Sequence, residues 1–198
     1  MSKHYKKIAL IVLLGFGLTG CGIQSIPQQK NAVDASLAEI NNQYKRRMDL
    51  IPNIVNVVKG YAKHEKETLE AVVNARSKAT QITIDPSKVS AQQLADFQKA
   101  QGQLSQALGK LMMLKESYPD LKANQNFLEL QAQLEGTENR VTVARQRYIQ
   151  SIQELNNLTT VPPTSWTNSL FYHFEKMPQW DLAPEEKDKA QKAPEVNF

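Results

Sequence analysis

The feature that most constrains the fold of this chain is a row of mostly apolar side chains that recurs every three or four residues. Spacings that alternate between four and three residues place side chains on one face of an α-helix. Pro52 lies inside the row, so we expect a kink or a break between Asp49 and Pro52, and the unbroken phase favours a kink. The predicted face consists of Val33, Leu37, Ile40, Tyr44, Met48, Ile51, Val55, Val58, Ala62, Glu65, Leu69, Val72, Arg76 and Ala79.

Two further segments repeat this spacing. Ser90 is a suitable N-cap for a second helix that ends before Tyr118, and a third is predicted from about Asn124 to just before Val161. Short loops between successive helices favour antiparallel neighbours. The sequence therefore predicts an all-α fold, an antiparallel three- to four-helix up-and-down bundle with long first and third helices. Gly102 and Gly109 weaken the second helix, and we expect close packing against a neighbour to be their reason.

The N-terminal residues have the three regions of an export signal. Residues 1–7 are basic, residues 8–18 are apolar, and Leu18-Thr19-Gly20-Cys21 follows. A membrane span needs about 20 apolar residues, whereas residues 8–20 are 13. The tetrapeptide resembles the lipobox of bacterial lipoproteins, in which the cysteine is acylated and becomes the first residue. An ordinary signal peptide with an incidental cysteine is the alternative.

These regions divide the chain into a lipoprotein signal peptide (residues 1–20), a polar tether (21–31) and a helical bundle (32–198) with a C-terminal tail from about residue 163. Two or three acyl chains on Cys21 suffice for stable membrane anchoring. Gly22 follows the cysteine, as in lipoproteins sorted to the outer membrane. We therefore expect a lipid-anchored envelope protein, on the periplasmic face of the outer membrane if the host is Gram-negative.

Composition and motifs exclude several function classes. The formal charge is +4, but three lysines precede Ile8, and without them 21 basic residues face 20 acidic ones. Such a balance does not favour nucleic-acid binding. His64-Glu65 begins like a zinc-protease motif, but Thr68 replaces the second histidine, and no catalytic or metal site is predicted. No cofactor is expected, and the covalent modification expected is the lipid on Cys21.

Charged side chains occupy positions of the helical faces where leucine is expected: Glu65, Arg76, Glu138 and Arg145. Charges in such positions either pair and set the register of the helices or form a ligand site. We favour the first interpretation. At the proline, Asp49 is placed to cap the amides freed at the kink. Arg46 and Arg47 either pair with Asp49 or are solvated, and we favour solvation.

The tail contains both tryptophans of the chain. Its aromatic residues suit either a docking interface or a cap over the open end of the bundle, and we favour the cap. They are Trp166, Phe171, Tyr172, Phe174 and Trp180.

Four blocks of the sequence resemble the LemA family: Arg46–Val55, Tyr118–Asn124, Leu134–Arg140 and Pro194–Phe198. Ala144-Arg145 and Tyr148 continue the third block. The resemblance implies a mostly four-helix antiparallel bundle on the outer side of a bacterial membrane, with no established catalytic activity or cofactor. It also implies a role in envelope organisation, in which Arg47, Asp49, Pro52, Asn53 and Tyr148 are structural or interaction candidates.

From these observations we predict a non-enzymatic cell-envelope lipoprotein that organises the envelope or serves as a docking scaffold. Its expected partners are the membrane, through the lipid, and a protein of the envelope. The alternative is a periplasmic binding module or adaptor that uses a groove between helices, with Arg76 and Glu138 among its polar contacts.

Overall fold

The computed structural model describes residues 2–85 and 89–180, and within its first helix it describes side chains from residue 23 onward. The described residues form helices and connecting segments and include no strand. The α-helices are α1 (Ser2–Tyr61), α2 (Lys66–Gln81), α3 (Ala91–Met113), α4 (Pro119–Lys122), α5 (Gln125–Thr160) and α6 (Thr164–Thr167), with a 3₁₀ turn at Leu114–Glu116 and a π-helical turn at Asn168–Tyr172.

Helix α1 is longer at its start and shorter at its end than the sequence pattern predicts. The predicted tether is wrong, because residues 22–30 are helical and the Ile26 side chain is fully buried. The helix contains Pro52 and continues to Tyr61, so of the two alternatives at that proline, a kink and a break, the structure excludes the break. The interruption lies at residues 62–65, and the predicted first face is therefore divided between α1 and α2.

The predicted starts of the other two long helices are confirmed. Ser90 accepts a hydrogen bond from the Gln93 amide (3.1 Å), while the Gln93 side chain accepts from the Ser90 amide (3.2 Å). This reciprocal capping satisfies two of the amides that every helix start leaves unpaired. Asn124 caps α5 in a similar way by accepting from the Phe127 amide (2.9 Å). Capping residues thus mark both starts correctly.

The long helices pack in two neighbouring pairs, α1 along α5 and α2 along α3. Two hydrogen bonds define the direction of the first pair. Gln29 donates to the Ser151 carbonyl (3.0 Å), and at the opposite end Asn124 donates to the Tyr61 hydroxyl (2.8 Å). Since the start of α1 meets the end of α5 and the reverse, these two helices run in opposite directions.

The buried side chains form two apolar clusters along the length of the molecule. The distal cluster, named for its greater distance from the start of α1, contains Ile51, Val58, Val72, Leu104 and Phe127 with their neighbours. Its side chains come from α1 to α5. The proximal cluster is built on residues 26–44 of α1, the start of α3 and the second half of α5, with Tyr44, Phe97, Tyr148 and Ile152 among its members. The two clusters meet near residue 47 of α1.

Two details of the predicted core are corrected. Arg47 and Ile54 are the buried residues of α1 at positions where the sequence pattern placed Met48 and Val55, which are half-buried. Gly102 and Gly109 do not mark close packing, because a Cβ at either position would have no described atom within 4 Å apart from the helix itself.

No helix in the described part of the chain has an apolar stretch long enough to cross a membrane.

Candidate functional site: a polar layer and a folded-back tail

A layer of polar side chains separates the two apolar clusters. Its central member is Arg47 of α1, which is 6% exposed. One guanidinium nitrogen lies 2.8 Å from a carboxylate oxygen of Glu138 on α5. The other donates a hydrogen bond to the Ser105 hydroxyl on α3 (3.0 Å). Arg47 therefore connects three helices at one level of the molecule.

Gln101 and Thr137 complete the polar layer around Arg47 and Ser105. Ser105 donates to the Gln101 carbonyl one turn earlier (3.1 Å), which leaves its oxygen free to accept from Arg47. Gln101 is 2% exposed, and neither atom of its side-chain amide has a partner among the described residues. Thr137, beside Glu138, is fully buried and donates to the Leu134 carbonyl (2.7 Å).

The ion pair of the polar layer is asymmetric. The Arg47 side chain is 7% exposed, whereas the Glu138 side chain is 46% exposed. The two atoms are at ion-pair distance, although the Glu138 oxygen lacks hydrogen-bond geometry. A buried charge must be paired, because desolvation strongly disfavours it. Glu138 thus compensates a cation that cannot reach water, while the Glu138 side chain as a whole remains partly exposed to solvent.

The other charged residues of the predicted faces attach α2 to its neighbours. The Arg76 Nε atom donates to the Met48 carbonyl of α1 (2.9 Å). Glu65, just before α2, accepts from the Tyr118 hydroxyl (3.0 Å), and this bond raises the pKa of Tyr118 above its ordinary value. Both residues therefore make polar contacts between helices, and neither is gathered with Glu138.

The cap expected from Asp49 does not form among the described residues, and the solvation favoured for both arginines is wrong for Arg47, which is buried. Asp49, Pro52 and Asn53 are exposed, and Asp49 forms no hydrogen bond or ion pair with the described residues. Arg47 points away from Asp49 and into the core, because the helical repeat places residue 47 on the buried face with Tyr44 and Ile51.

The two remaining candidates on α5 differ in burial. Arg145 is half-buried and forms no ion pair with the described residues. Tyr148 is fully buried, and its hydroxyl has no partner among the described residues. Burial, with a smaller contribution from the negative charge of Asp34, raises the pKa of Tyr148 to about 12.

The tail after α5 folds back along the proximal cluster. Asn156 holds it by donating to the Met177 carbonyl (3.2 Å) and accepting from the Met177 amide (2.9 Å). Trp180 then packs edge-on against Phe97 and Tyr148, with ring centroids 6.4 and 5.9 Å away.

The two tryptophans of the tail have different environments. Trp180 covers the proximal cluster, as a cap would. Trp166 is 65% exposed, and it does not cover the core. Tyr172 and Phe174 pack with Trp180 on the cluster, whereas Phe171 is also 65% exposed. The expectation that all the tail aromatics form a cap is therefore only partly correct.

A surface groove with a volume of about 500 Å³ lies between α2 and α3. Lys78, Gln81, Asp96 and Lys99 are among its lining residues, but Arg76 and Glu138 are not. This groove is therefore not the binding groove of the alternative hypothesis, which would be lined by Arg76 and Glu138. Across the described residues, His, Cys, Asp and Glu side chains form no group of three that is suited to a metal ion.

The predicted anchor residue lies outside these observations. Cys21 falls in the part of α1 whose side chains are not described, and the closing block Pro194–Phe198 also lies outside the described residues.

Comparison with known proteins decides the family. A profile described as the LemA family matches residues 36–198. The chain belongs to the LemA family. It is also 26% identical over 141 residues to a protein named Protein LemA from Metamycoplasma hominis. That match covers 71% of this chain and 59% of the mycoplasma protein, so the chain spans about three fifths of the length of this relative.

The region matched by the LemA family profile contains the complete polar layer and the folded-back tail. Sequence reasoning identified Arg47 and Glu138 but did not pair them, and it missed Ser105, Thr137 and Asn156. Gln101 lies one turn before Ser105 in a helix whose buried face is otherwise apolar, and this spacing of two polar residues was the available signal for Ser105. Asn156 carried no such signal, because its partners are backbone atoms of the tail.

Proposed function

We propose that this LemA-family chain is a non-enzymatic lipoprotein of the cell envelope. In this proposal a lipid on Cys21 holds the helical body at the membrane, where the body organises the envelope or docks a partner protein. The observation that carries the proposal is the order of basic, apolar and Leu18-Thr19-Gly20-Cys21 segments at the N-terminus. Cys21 is also the single cysteine of the chain, so it has no disulfide partner within it.

The physical basis of the anchor is the apolar area of the attached chains. Each buried methylene adds about 0.8 kcal/mol to membrane affinity, and one acyl chain alone gives only reversible binding. Two or three chains on one residue exceed that threshold. A protein modified in this way stays at its membrane, and its body acts within reach of that surface. In a Gram-negative host, Gly22 after the cysteine favours the outer membrane as the location of the protein.

The proposed body is an antiparallel four-helix bundle of α1, α2, α3 and α5. The opposite directions of α1 and α5 and the pairing of α2 with α3 support this arrangement. Its interior polar groups support a structural role, because Arg47 contacts Glu138 and Ser105 and so ties three helices in one register. A body with such a register presents a constant outer surface to a docking partner.

The anchor is tested by mass spectrometry of the protein purified from the membrane fraction. We expect the N-terminal peptide to begin at Cys21 and to carry the mass of at least two acyl chains. A Cys21→Ser chain is the matched control, and it should be neither acylated nor cleaved at this position. An unmodified thiol in the processed protein would refute the proposal.

The docking role is tested by chemical crosslinking in native membranes. The wild-type chain should give a discrete crosslinked product with an envelope protein, and the Cys21→Ser chain should lose it because the body is no longer held at the membrane. An identical product from both chains would contradict a scaffold that depends on its anchor.

A further inference from the structure

Three large apolar side chains form an exposed patch on the short helical segment after α5. Trp166 is 65% exposed, Leu170 is 72% exposed and Phe171 is 65% exposed. Trp166 and Leu170 are four residues apart in α6 and the following π-helical turn, and Phe171 is the next residue. We call these three side chains the aromatic patch.

The aromatic patch lies beside residue 23 of α1, close to the predicted lipid attachment site at Cys21. Helix α6 packs against α1, and the Tyr172 hydroxyl, next to the patch, donates to the Ile23 carbonyl (2.6 Å). Ile23 is two residues after Cys21 and is itself 42% exposed. The patch is therefore close to the position from which a lipid at Cys21 would enter a bilayer.

The fold holds the segment of the aromatic patch in place. Asn168 donates to the Phe174 carbonyl and accepts from the Phe174 amide, both at 3.0 Å. These bonds enclose His173, whose backbone is left-handed (φ 57°) and ends the π-helical turn. Tyr172 and Phe174 stack on each other and pack on the proximal cluster. The exposure of the neighbouring residues 170 and 171 is thus a consequence of an anchored turn.

The chemistry of this segment suits a lipid surface. Residues 161–174 contain no Asp, Glu, Lys or Arg, so their transfer to a less polar medium desolvates no permanent charge. Tryptophan and phenylalanine are favoured at the boundary between headgroups and acyl chains. A patch recognised through charge would instead carry basic side chains directed at anionic lipids.

We infer that the aromatic patch inserts into the bilayer surface beside the lipid on Cys21. The inference rests on the proposed lipid anchor, which places this end of the molecule at the membrane. A single lipid attachment leaves the body free to tilt on the membrane, whereas a second contact through Trp166, Leu170 and Phe171 restricts its orientation. The anchor thus provides the affinity, and the aromatic patch provides the orientation of the docking surface.

The two tryptophans of the chain provide a test with an internal control. The full lipidated chain is reconstituted into vesicles of phosphatidylethanolamine and phosphatidylglycerol that contain brominated acyl chains, which quench tryptophan at short range. A Trp180→Phe chain reports on Trp166, and a Trp166→Phe chain reports on Trp180. We expect bromine to remove about half of the Trp166 emission, because interfacial segments insert about 5–10 Å into the headgroup boundary. Trp180, packed between two rings of the core, should be little affected.

A variant of the aromatic patch separates insertion from anchoring. In the Trp180→Phe chain, Leu170→Ser with Phe171→Ser should abolish the quenching of Trp166 while the protein still floats with the vesicles. The matched control is Met113→Ser, which removes an equally exposed (65%) side chain from the end of α3 and should leave the quenching unchanged. Unchanged far-ultraviolet circular dichroism confirms that each variant is folded.

The outcomes distinguish the two proposals. Flotation with quenching of Trp166 that depends on Leu170 and Phe171 supports both. Flotation without that quenching overturns the aromatic patch and leaves the anchor standing. A chain that does not float at all overturns both, because a body that is not held at the bilayer cannot be oriented by it.

Discussion

Replacement of Glu138 by leucine tests the polar layer most directly. The substitution leaves the Arg47 guanidinium, with a side chain only 7% exposed, without its carboxylate. Removal of one partner from a buried ion pair destabilises a protein by about 3–5 kcal/mol. The Ser105 hydroxyl still accepts one hydrogen bond from Arg47, and Glu138 is nearly half exposed. We therefore expect a decrease of about 2–3 kcal/mol in the free energy of unfolding.

The reciprocal substitution should have a smaller effect. Arg47→Met removes the buried charge and keeps an apolar side chain of similar length in the core. Glu138 then turns to solvent, which its 46% exposure allows, so we expect a change of about 1 kcal/mol or less. The double variant should lie within about 1 kcal/mol of the wild type, because it leaves no uncompensated charge.

The measurement is urea denaturation followed by circular dichroism at 222 nm for all four chains at pH 7. Arg145→Leu is the matched control, since Arg145 lies two turns further along α5 and forms no ion pair with the described residues. It should change the free energy of unfolding by less than about 0.5 kcal/mol. Equal destabilisation by the two single substitutions, or strict additivity in the double variant, would show that Arg47 and Glu138 do not act as a pair.

Three further predictions concern the core, the second helix and the tail. The pKa of Tyr148 is raised from 10.0 to about 12, so its stabilisation is complete below pH 10 and about 3 kcal/mol is lost as the pH rises through 12. Tyr148→Phe should lack this alkaline loss in denaturation experiments, and an identical pH profile would refute the role of burial. Gly109→Ala should raise the free energy of unfolding by about 0.5–1 kcal/mol, because a Cβ there meets no described atom within 4 Å; destabilisation would reveal hidden crowding. Asn156→Ala removes two hydrogen bonds to the tail and should accelerate its limited proteolysis about ten- to thirtyfold, whereas the exposed Asn157→Ala should not, and equal rates would exclude Asn156 as the tether.

Much of the fold could be predicted because helical signals are local. Ser90 and Asn124 sit at the observed helix starts, and apolar residues three and four positions apart are buried together on α3 and α5. A cap acts within four residues and a helical face repeats within two turns, so a short stretch of sequence contains the complete signal. The same locality explains the error at the end of α1, because the phase of the face is nearly unchanged across residues 62–65.

The candidate site could be predicted only in part, because its contacts join distant parts of the chain. Charges on the helical faces identified Glu138 as a polar member of the core, and the family resemblance identified Arg47. Their pairing, and the hydrogen bond from Arg47 to Ser105 on a helix 58 residues away, depend on how α1, α3 and α5 pack. Helical periodicity is the same for many packing angles, so it does not determine which side chains of different helices meet.

The sequence by itself determined the helical class, the starts of α3 and α5 and the expectation of a lipid anchor, since each depends on residues that are neighbours in the chain. Tertiary structure alone decided that Arg47 turns inward, that Trp180 covers the core while Trp166 remains exposed, and that the tail returns to Ile23. The physical reason is that these outcomes depend on which surfaces become buried when helices pack, and burial is a property of the assembled chain.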